Sequence, residues 1–356
     1  MIQHGPVPVF PTDGPEVSPL HAPPALQPMP VEFQGTAREF FGIWIVNLLL
    51  TVVTLGIWSA WAKVRTKRWF LGNTSIDGHA FDYHASPLQI LQGRIIAFIV
   101  IGVMSAISYF APSLFPVLWL IWMMAMPAAI NAGLRFNAHM TSWRNVRFEF
   151  QGSYGRALVL FMLMPILVML SLGLLAPFYS KMLGKYLFEG YRFGGARFTT
   201  QPKVSTMYGG LIRSAVLFFV ALMPGLLAIV LWGPEGLPLA AMDIYVALFI
   251  TSVHYGVYVR NELLTQTTID GGHRLQSQVD PAVYTWIVAS GLVATAASLT
   301  LAYPWARVRQ HRYLMKCTTL HAASGLENFV SEQRASPDSF GGELSEFEGF
   351  GSVASL

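Results

Sequence analysis

The hydrophobic positions fall into five long runs from which lysine and arginine are missing: residues 39–62, 95–134, 157–180, 214–259 and 275–306. A bilayer core of ~30 Å takes about 20 apolar residues of helix. The second and fourth runs are therefore long enough to cross twice. Pro112 and Pro116 divide the second run and Gly233-Pro234-Glu235-Gly236 the fourth, which predicts two helical hairpins with short turns. The other three runs are shorter and interrupted, at Gly56, at Pro165, Gly173 and Pro177, and at Pro304. They predict broken helices.

Between the runs a period of two replaces helical periodicity. Asn73–Phe81 places Asp77-Gly78 between alternating residues, Tyr191–Phe198 places Gly194-Gly195 there, and Thr267–His273 uses Asp270-Gly271-Gly272. Such dipeptides accept the positive φ of a tight hairpin turn, so each segment predicts a short β-hairpin.

The chain also repeats itself. Val31-Glu32-Phe33-Gln34-Gly35-Thr36 matches Phe148-Glu149-Phe150-Gln151-Gly152-Ser153 at an offset of 117, and Trp61-Ala62-Lys63-Val64-Arg65 matches Trp305-Ala306-Arg307-Val308-Arg309 at 244. Three copies of one unit follow, near 31–84, 148–201 and 275–325, with the hairpins 95–134 and 214–259 between them. The expected fold is an all-α polytopic membrane protein: a pseudo-threefold repeat of broken or re-entrant helices, two transmembrane hairpins, and short β-hairpins at the cytoplasmic face. This membrane domain, 31–325, is expected between a disordered proline-rich tail, 1–30, and a disordered acidic tail, 326–356, with phenylalanines at 329, 340, 347 and 350.

Composition agrees with a membrane protein: 53% of residues are hydrophobic and 12% charged, and the mean hydropathy is +0.47. The lone Cys317 excludes an internal disulfide or a thiol pair. The first thirty residues show neither a basic n-region nor an apolar h-region, so insertion is expected through the internal helices.

Charge and length disagree about topology. If every short run crosses once, 14 Lys/Arg lie inside and nine outside; if the short runs are re-entrant, all 23 share one side. The positive-inside tendency favours the second arrangement, with both tails cytoplasmic. Against it, a run of this length suffices for one crossing and not two, unless it dips only part-way and is shielded by protein.

Residues 39–84, which contain TLGIWSAWAKVRTKRWFLGNT, and the following SPLQILQGR closely resemble the YjgN-like family of bacterial inner-membrane proteins. The likeness extends over roughly 31–325. It implies an integral protein of the bacterial cytoplasmic membrane and no substrate, reaction or catalytic residue.

Candidate chemistry is sparse. Trp61, Lys63, Arg65, Arg68, Trp305, Arg307, Arg309 and Arg312 form two matching basic-aromatic clusters suited to anionic phospholipid headgroups or to phosphate, or simply to anchoring at the interface. Asn47, Asn131 and His254 are the polar residues expected inside the membrane, as interhelical hydrogen-bonders or as a polar site, and Asp243 shares the His254 arm. Enzyme motifs are missing, and the histidines at 79, 84, 139 and 273 lack metal-ligand spacing, so no catalysis, cofactor, metal or nucleic-acid partner is expected. Two functions remain. One is transport or handling of a lipid-like or small amphiphilic molecule; the other is a membrane scaffold that docks protein partners through its tails.

Overall fold

The computed structural model describes residues 26–323 and 325–335. Its centre is a closed antiparallel barrel of ten strands, which overturns the all-α expectation. The strands are β1 (Gln27–Phe33), β2 (Thr74–Ile76), β3 (His79–Tyr83), β4 (Thr141–Trp143), β5 (Val146–Phe150), β6 (Tyr191–Phe193), β7 (Ala196–Thr200), β8 (Thr267–Ile269), β9 (His273–Ser277) and β10 (Thr318–Ala322). The three expected hairpins are β2–β3, β6–β7 and β8–β9, and a fourth, β4–β5, turns on Arg144-Asn145 with φ of 52° and 64°. They do not stay separate because a two-stranded ribbon exposes unpaired N–H and C=O groups along both edges, and closure removes every edge. β1 completes the ring, pairing through Gln27–Pro30 with β10 and through Val31–Phe33 with β2. It begins inside the stretch read as a proline-rich tail.

Ten strands alternate in direction, so the ring has two different rims. Four β-turns mark one; five helical excursions spring from the other, each leaving by one strand and returning to the next. Two excursions are long hairpins: α3 (Pro87–Phe110) with α4 (Phe115–His139), and α8 (Val204–Ala221) and α9 (Met223–Trp232) with α10 (Leu237–Thr265). Pro87–Phe110, Pro112–His139 and Val204–Thr265 are apolar and long enough to cross a membrane, the last folding back at Gly233–Gly236.

The other three are the repeated units. Their first arms are α1 (Ala37–Val53), the stretch Tyr154–Leu170 (α5, Tyr154–Leu158, a π-helical turn, and α6, Met164–Leu170), and α11 (Pro281–Ala297). Their second arms are α2 (Ser59–Gly72), α7 (Ala176–Gly190) and α12 (Tyr303–Lys316). First arms of 17 residues reach ~25 Å and the 24 residues of α3 reach ~36 Å, so the broken pairs stop short where the hairpins pass a ~30 Å core.

The three breaks are built alike. Leu55-Gly56, Leu172-Gly173 and Leu299-Thr300 all have positive φ, and the N–H of Gly56, Gly173 and Thr300 closes the preceding helix on the carbonyls of Thr51, Val168 and Thr295 at 2.7, 2.8 and 2.7 Å. The hydroxyls of Thr54, Ser171 and Ser298 then accept from the N–H of Trp58, Leu175 and Ala302, opening the next helix. In the third copy the break is thus at Leu299-Thr300, not at Pro304, which sits in the first turn of α12. The apical leucines are 94%, 94% and 85% exposed.

Four of the five excursions rejoin the barrel through one kind of junction. Thr74, Thr141, Thr267 and Thr318 each donate a side-chain hydrogen bond to the carbonyl four residues back, of Phe70, Asn137, Leu263 and Leu314, at 2.6 to 2.9 Å. This satisfies helix-end carbonyls that otherwise have no partner. Tyr191 holds the fifth such position. The repeat is therefore threefold in its short helix pairs, and the threonine joint recurs at four of the five returns. At residue 152 the strand-to-helix joint admits only glycine, since a Cβ there would lie 2.3 Å from the Tyr186 hydroxyl and 2.5 Å from the Phe150 ring.

Inward positions of the strands follow the period of two and are mostly apolar; Trp143, Val146, Phe193 and Ala322 form a buried cluster. A further helix, α13 (Leu326–Ala335), adds Leu326 and Val330 to it and closes the turn-side rim. Residues 326–335 of the stretch read as a disordered tail are therefore helical. Residues 336–356, with Phe340, Phe347 and Phe350, lie outside the described residues, as do 1–25 of the proline-rich tail.

Candidate functional site

On the barrel axis at the helical rim lies a cavity of about 610 Å³. It is formed where the second arms of all three copies meet α4 and the upper strands: Lys67 and Phe70 come from α2, Phe188 from α7, Tyr303, Arg307 and His311 from α12, and Asn137 from α4. Phe81, Phe148 and Phe198 make its floor. No carboxylate lines it among the described residues.

Lys67, Asn137 and His311 are each held from behind. Lys67 Nζ donates to Asn137 Oδ1 and lies 4.8 Å from the centre of the Tyr83 ring. Burial, and then the charge of Lys63, lower the Lys67 pKa. His311 Nε2 is 3.1 Å from Thr74 Oγ1, and its ring meets Phe33 and Phe70 edge-on at 4.7 and 4.9 Å. Burial, followed by repulsion from Arg307, pushes the His311 pKa down to about 4, so it faces the cavity as a neutral ring. Arg307 is exposed and has no hydrogen-bond or ion-pair partner among the described residues. The cavity thus offers one buffered ammonium, one free guanidinium and a neutral imidazole on aromatic walls. That set receives an anion with an apolar body.

A family described as "Bacterial protein of unknown function (DUF898)" matches residues 28–347. The chain belongs to this DUF898 family. It is 26% identical to the inner membrane protein YjgN of Salmonella typhimurium strain LT2 in an alignment 333 residues long that covers 78% of this chain and 84% of that protein. YjgN of Escherichia coli K12 is 27% identical over 227 residues, 54% of this chain and 56% of its own length, and that of E. coli O157:H7 is 31% identical over 152 residues, 42% and 38%. No solved structure matches. Like the relatives named here, this DUF898 chain is an inner-membrane protein, with apolar stretches long enough to cross.

Of the eight basic and aromatic residues expected to meet lipid, only Arg307 lines this DUF898 cavity. Arg68 donates to the carbonyls of Tyr83 and Ala85 at 3.1 and 3.0 Å, and Arg312 to that of Gly35 at 2.9 Å, so both clasp strand-to-helix joints. Arg65 reaches Asn47 Oδ1 at 3.4 Å; Arg309 binds Ser290 at 2.8 Å with its guanidinium 5.2 Å from the Trp305 ring. In both copies this arginine ties the second arm to the first. Trp61 stacks on Trp58 at 5.4 Å, and Lys63 is exposed.

The intramembrane polar residues are dispersed. Asn47 also accepts from Trp58 Nε1 at 3.3 Å, and Asn131 accepts from the Tyr186 hydroxyl. His254 bonds Ser214 at 2.9 Å, and Asp243 accepts from the Gly225 N–H at 3.0 Å just past the α8–α9 break. The sequence marks Lys67 only as a further basic residue of the first cluster facing phospholipid, and His311 and Asn137 were missed. The offset of 244 that joins Lys63 to Arg307 also joins Lys67 to His311, and was the available signal.

Proposed function

We propose that this protein binds and handles an anionic amphiphile, with a phosphate- or carboxylate-type head, in the cavity above the barrel. The carrying observation is the pairing of Lys67 and Arg307 without a lining carboxylate in a cavity of about 610 Å³, a usual size for a small-ligand site. Its position at the convergence of three membrane-dipping helix pairs gives a molecule from the bilayer a short lateral path to it. Irregular backbone at membrane depth persists where it is buried in protein or lines a cavity, and transporters use such broken helices.

The test uses the purified protein in phosphatidylcholine nanodiscs and a short-chain alkyl phosphate. A hydrogen bond to a charged partner contributes ~1.5–3 kcal/mol. Lys67→Gln and Arg307→Gln are each expected to weaken binding by at least about tenfold, whereas Lys63→Gln, outside the cavity, leaves it unchanged. Equal binding by all three variants would remove the proposal.

The orientation belongs to the same reading. With every excursion springing from one rim, the basic joints lie together, and the positive-inside tendency supports a cytoplasmic barrel with both tails on that side. On a Cys317→Ser background, a cysteine in place of the exposed Glu235 is expected to react with an impermeant thiol reagent added to whole spheroplasts, and one at Gly195 only after lysis. Labelling at 195 from outside would reverse the assignment.

A further inference from the structure

Beneath the cationic cavity, on the other side of Phe81, Phe148 and Phe198, lies a second one of about 150 Å³ inside the barrel. The same three rings wall both spaces. The lower lining is apolar, including Ile269, Leu275 and Leu320, apart from the ring of His273, and Leu326 and Phe329 of α13 close its far end. We propose that this lumen is the binding site for the end of an unbranched alkyl chain, whose anionic head rests on Lys67 and Arg307. The inference rests on the reading of the upper cavity and adds the shape and length of the ligand.

Three observations lead to it. An eight-stranded barrel is just filled by its own side chains, and ten strands enclose more. Here Trp143, Phe193 and three further phenylalanines point inward and still leave a void, although protein interiors ordinarily close such spaces. A void of about this volume walled by Leu, Ile and Phe takes up small hydrocarbons. The void also lies directly below a site that selects an anion. A head held above the phenylalanine ring directs its tail between those rings and into the lumen. At about 30 Å³ for each small group, the lumen holds roughly five methylenes. Its floor, Leu326 and Phe329, then sets the chain length at which further methylenes find no room.

The experiment measures dissociation constants of straight-chain alkyl phosphates from four to sixteen carbons for the full chain in nanodiscs, with empty nanodiscs subtracted. Burying one methylene contributes ~0.8 kcal/mol. Affinity is therefore expected to rise about fourfold per carbon once the chain passes the phenylalanine ring, over about five carbons, and then to level off. Ile269→Trp fills the lumen and is expected to bring the plateau to shorter chains; Leu275→Ala enlarges it and is expected to move the plateau to longer ones. Neither variant changes binding of the four-carbon phosphate, which reads the upper cavity alone. A plateau that stays in place in both variants overturns the lumen site while leaving the upper site standing. Loss of the Lys67 and Arg307 dependence of the four-carbon ligand overturns the upper site instead.

Discussion

Val330→Asp is expected to release α13 from the barrel and to raise the reactivity of a lumen cysteine by roughly two orders of magnitude. Val330 and Leu326 are almost fully buried, and Phe329 lies 6.3 Å from the Phe193 ring and 4.6 Å from that of His273. Burying a Val, Leu or Phe side chain contributes ~1.5–3 kcal/mol. Ordering ten residues opposes this at ~1–2 kcal/mol each before helix hydrogen bonds are counted, so the docking equilibrium is modest. An aspartate at 330 enters a cluster of Trp143, Val146, Phe193, Ala322 and Leu326, and a poorly paired buried carboxylate costs several kcal/mol. The helix leaves instead. The reporter is Ile269→Cys on a Cys317→Ser background, measured by labelling rate with a soluble maleimide. If α13 docks with about 3 kcal/mol, it protects that thiol by about 150-fold, and the variant loses this protection. Glu327→Gln serves as the comparison. Glu327 pairs with Arg144 at 3.5 Å but its side chain is 84% exposed, and such surface pairs contribute ~0–1 kcal/mol, so labelling should barely change. Equal rates in Val330→Asp and its parent would show that α13 does not seal the lumen.

The parts that were readable from the sequence and the parts that were not separate along physical lines. Three of the four hairpins announce their own turns: Asp77-Gly78 and Gly271-Gly272 take positive φ, the aspartate because its short side chain tolerates it and the glycines because they have no Cβ, whereas Arg144-Asn145 carries a weaker mark. The helical hairpins were visible because apolar length and Gly233-Pro234-Glu235-Gly236 are local signals. Barrel closure has no such local mark. It depends on β1 pairing with β10 across nearly the whole chain, and β1 lies in a segment whose Pro28 and Pro30 argue against a strand. The recurring joint was present as Thr74, Thr141, Thr267 and Thr318, but a threonine at a helix end carries little information until the helix ends are superposed. Thr300 is the opposite case. A β-branched residue at φ 75° contradicts local preference, and the fold imposes it because the tip of the third copy must match the other two. The candidate site was obscured for a further reason: its pseudo-equivalent residues, Lys67 and His311, are chemically unlike, and the position matching them in the middle copy is Gly184.

Acidification offers the second large effect, and its sign follows from His311. In the folded chain its pKa is about 4, against an ordinary value of 6.5, because burial and Arg307 both disfavour the imidazolium. Between these values the unfolded chain binds the proton and the folded chain does not, so stability is full above about pH 6.5, falls as pH drops towards 4, and falls no further from this group below that. At 1.36 kcal/mol per unit the loss approaches ~3 kcal/mol, an upper figure because the ring retains some contact with solvent. His273 shifts in the same direction, from burial alone, and adds to the same window. Thermal unfolding in detergent at pH 7.5 and pH 4.5 reads the sum, and His311→Phe separates the contributions: the phenyl ring keeps the edge contacts with Phe33 and Phe70 and cannot take a proton. The variant is expected to lose most of the difference between the two pH values. An unchanged difference would mean that His311 is already protonated in the folded chain. The upper cavity would then carry a third cation, and its preference for an anion would rise as the pH falls.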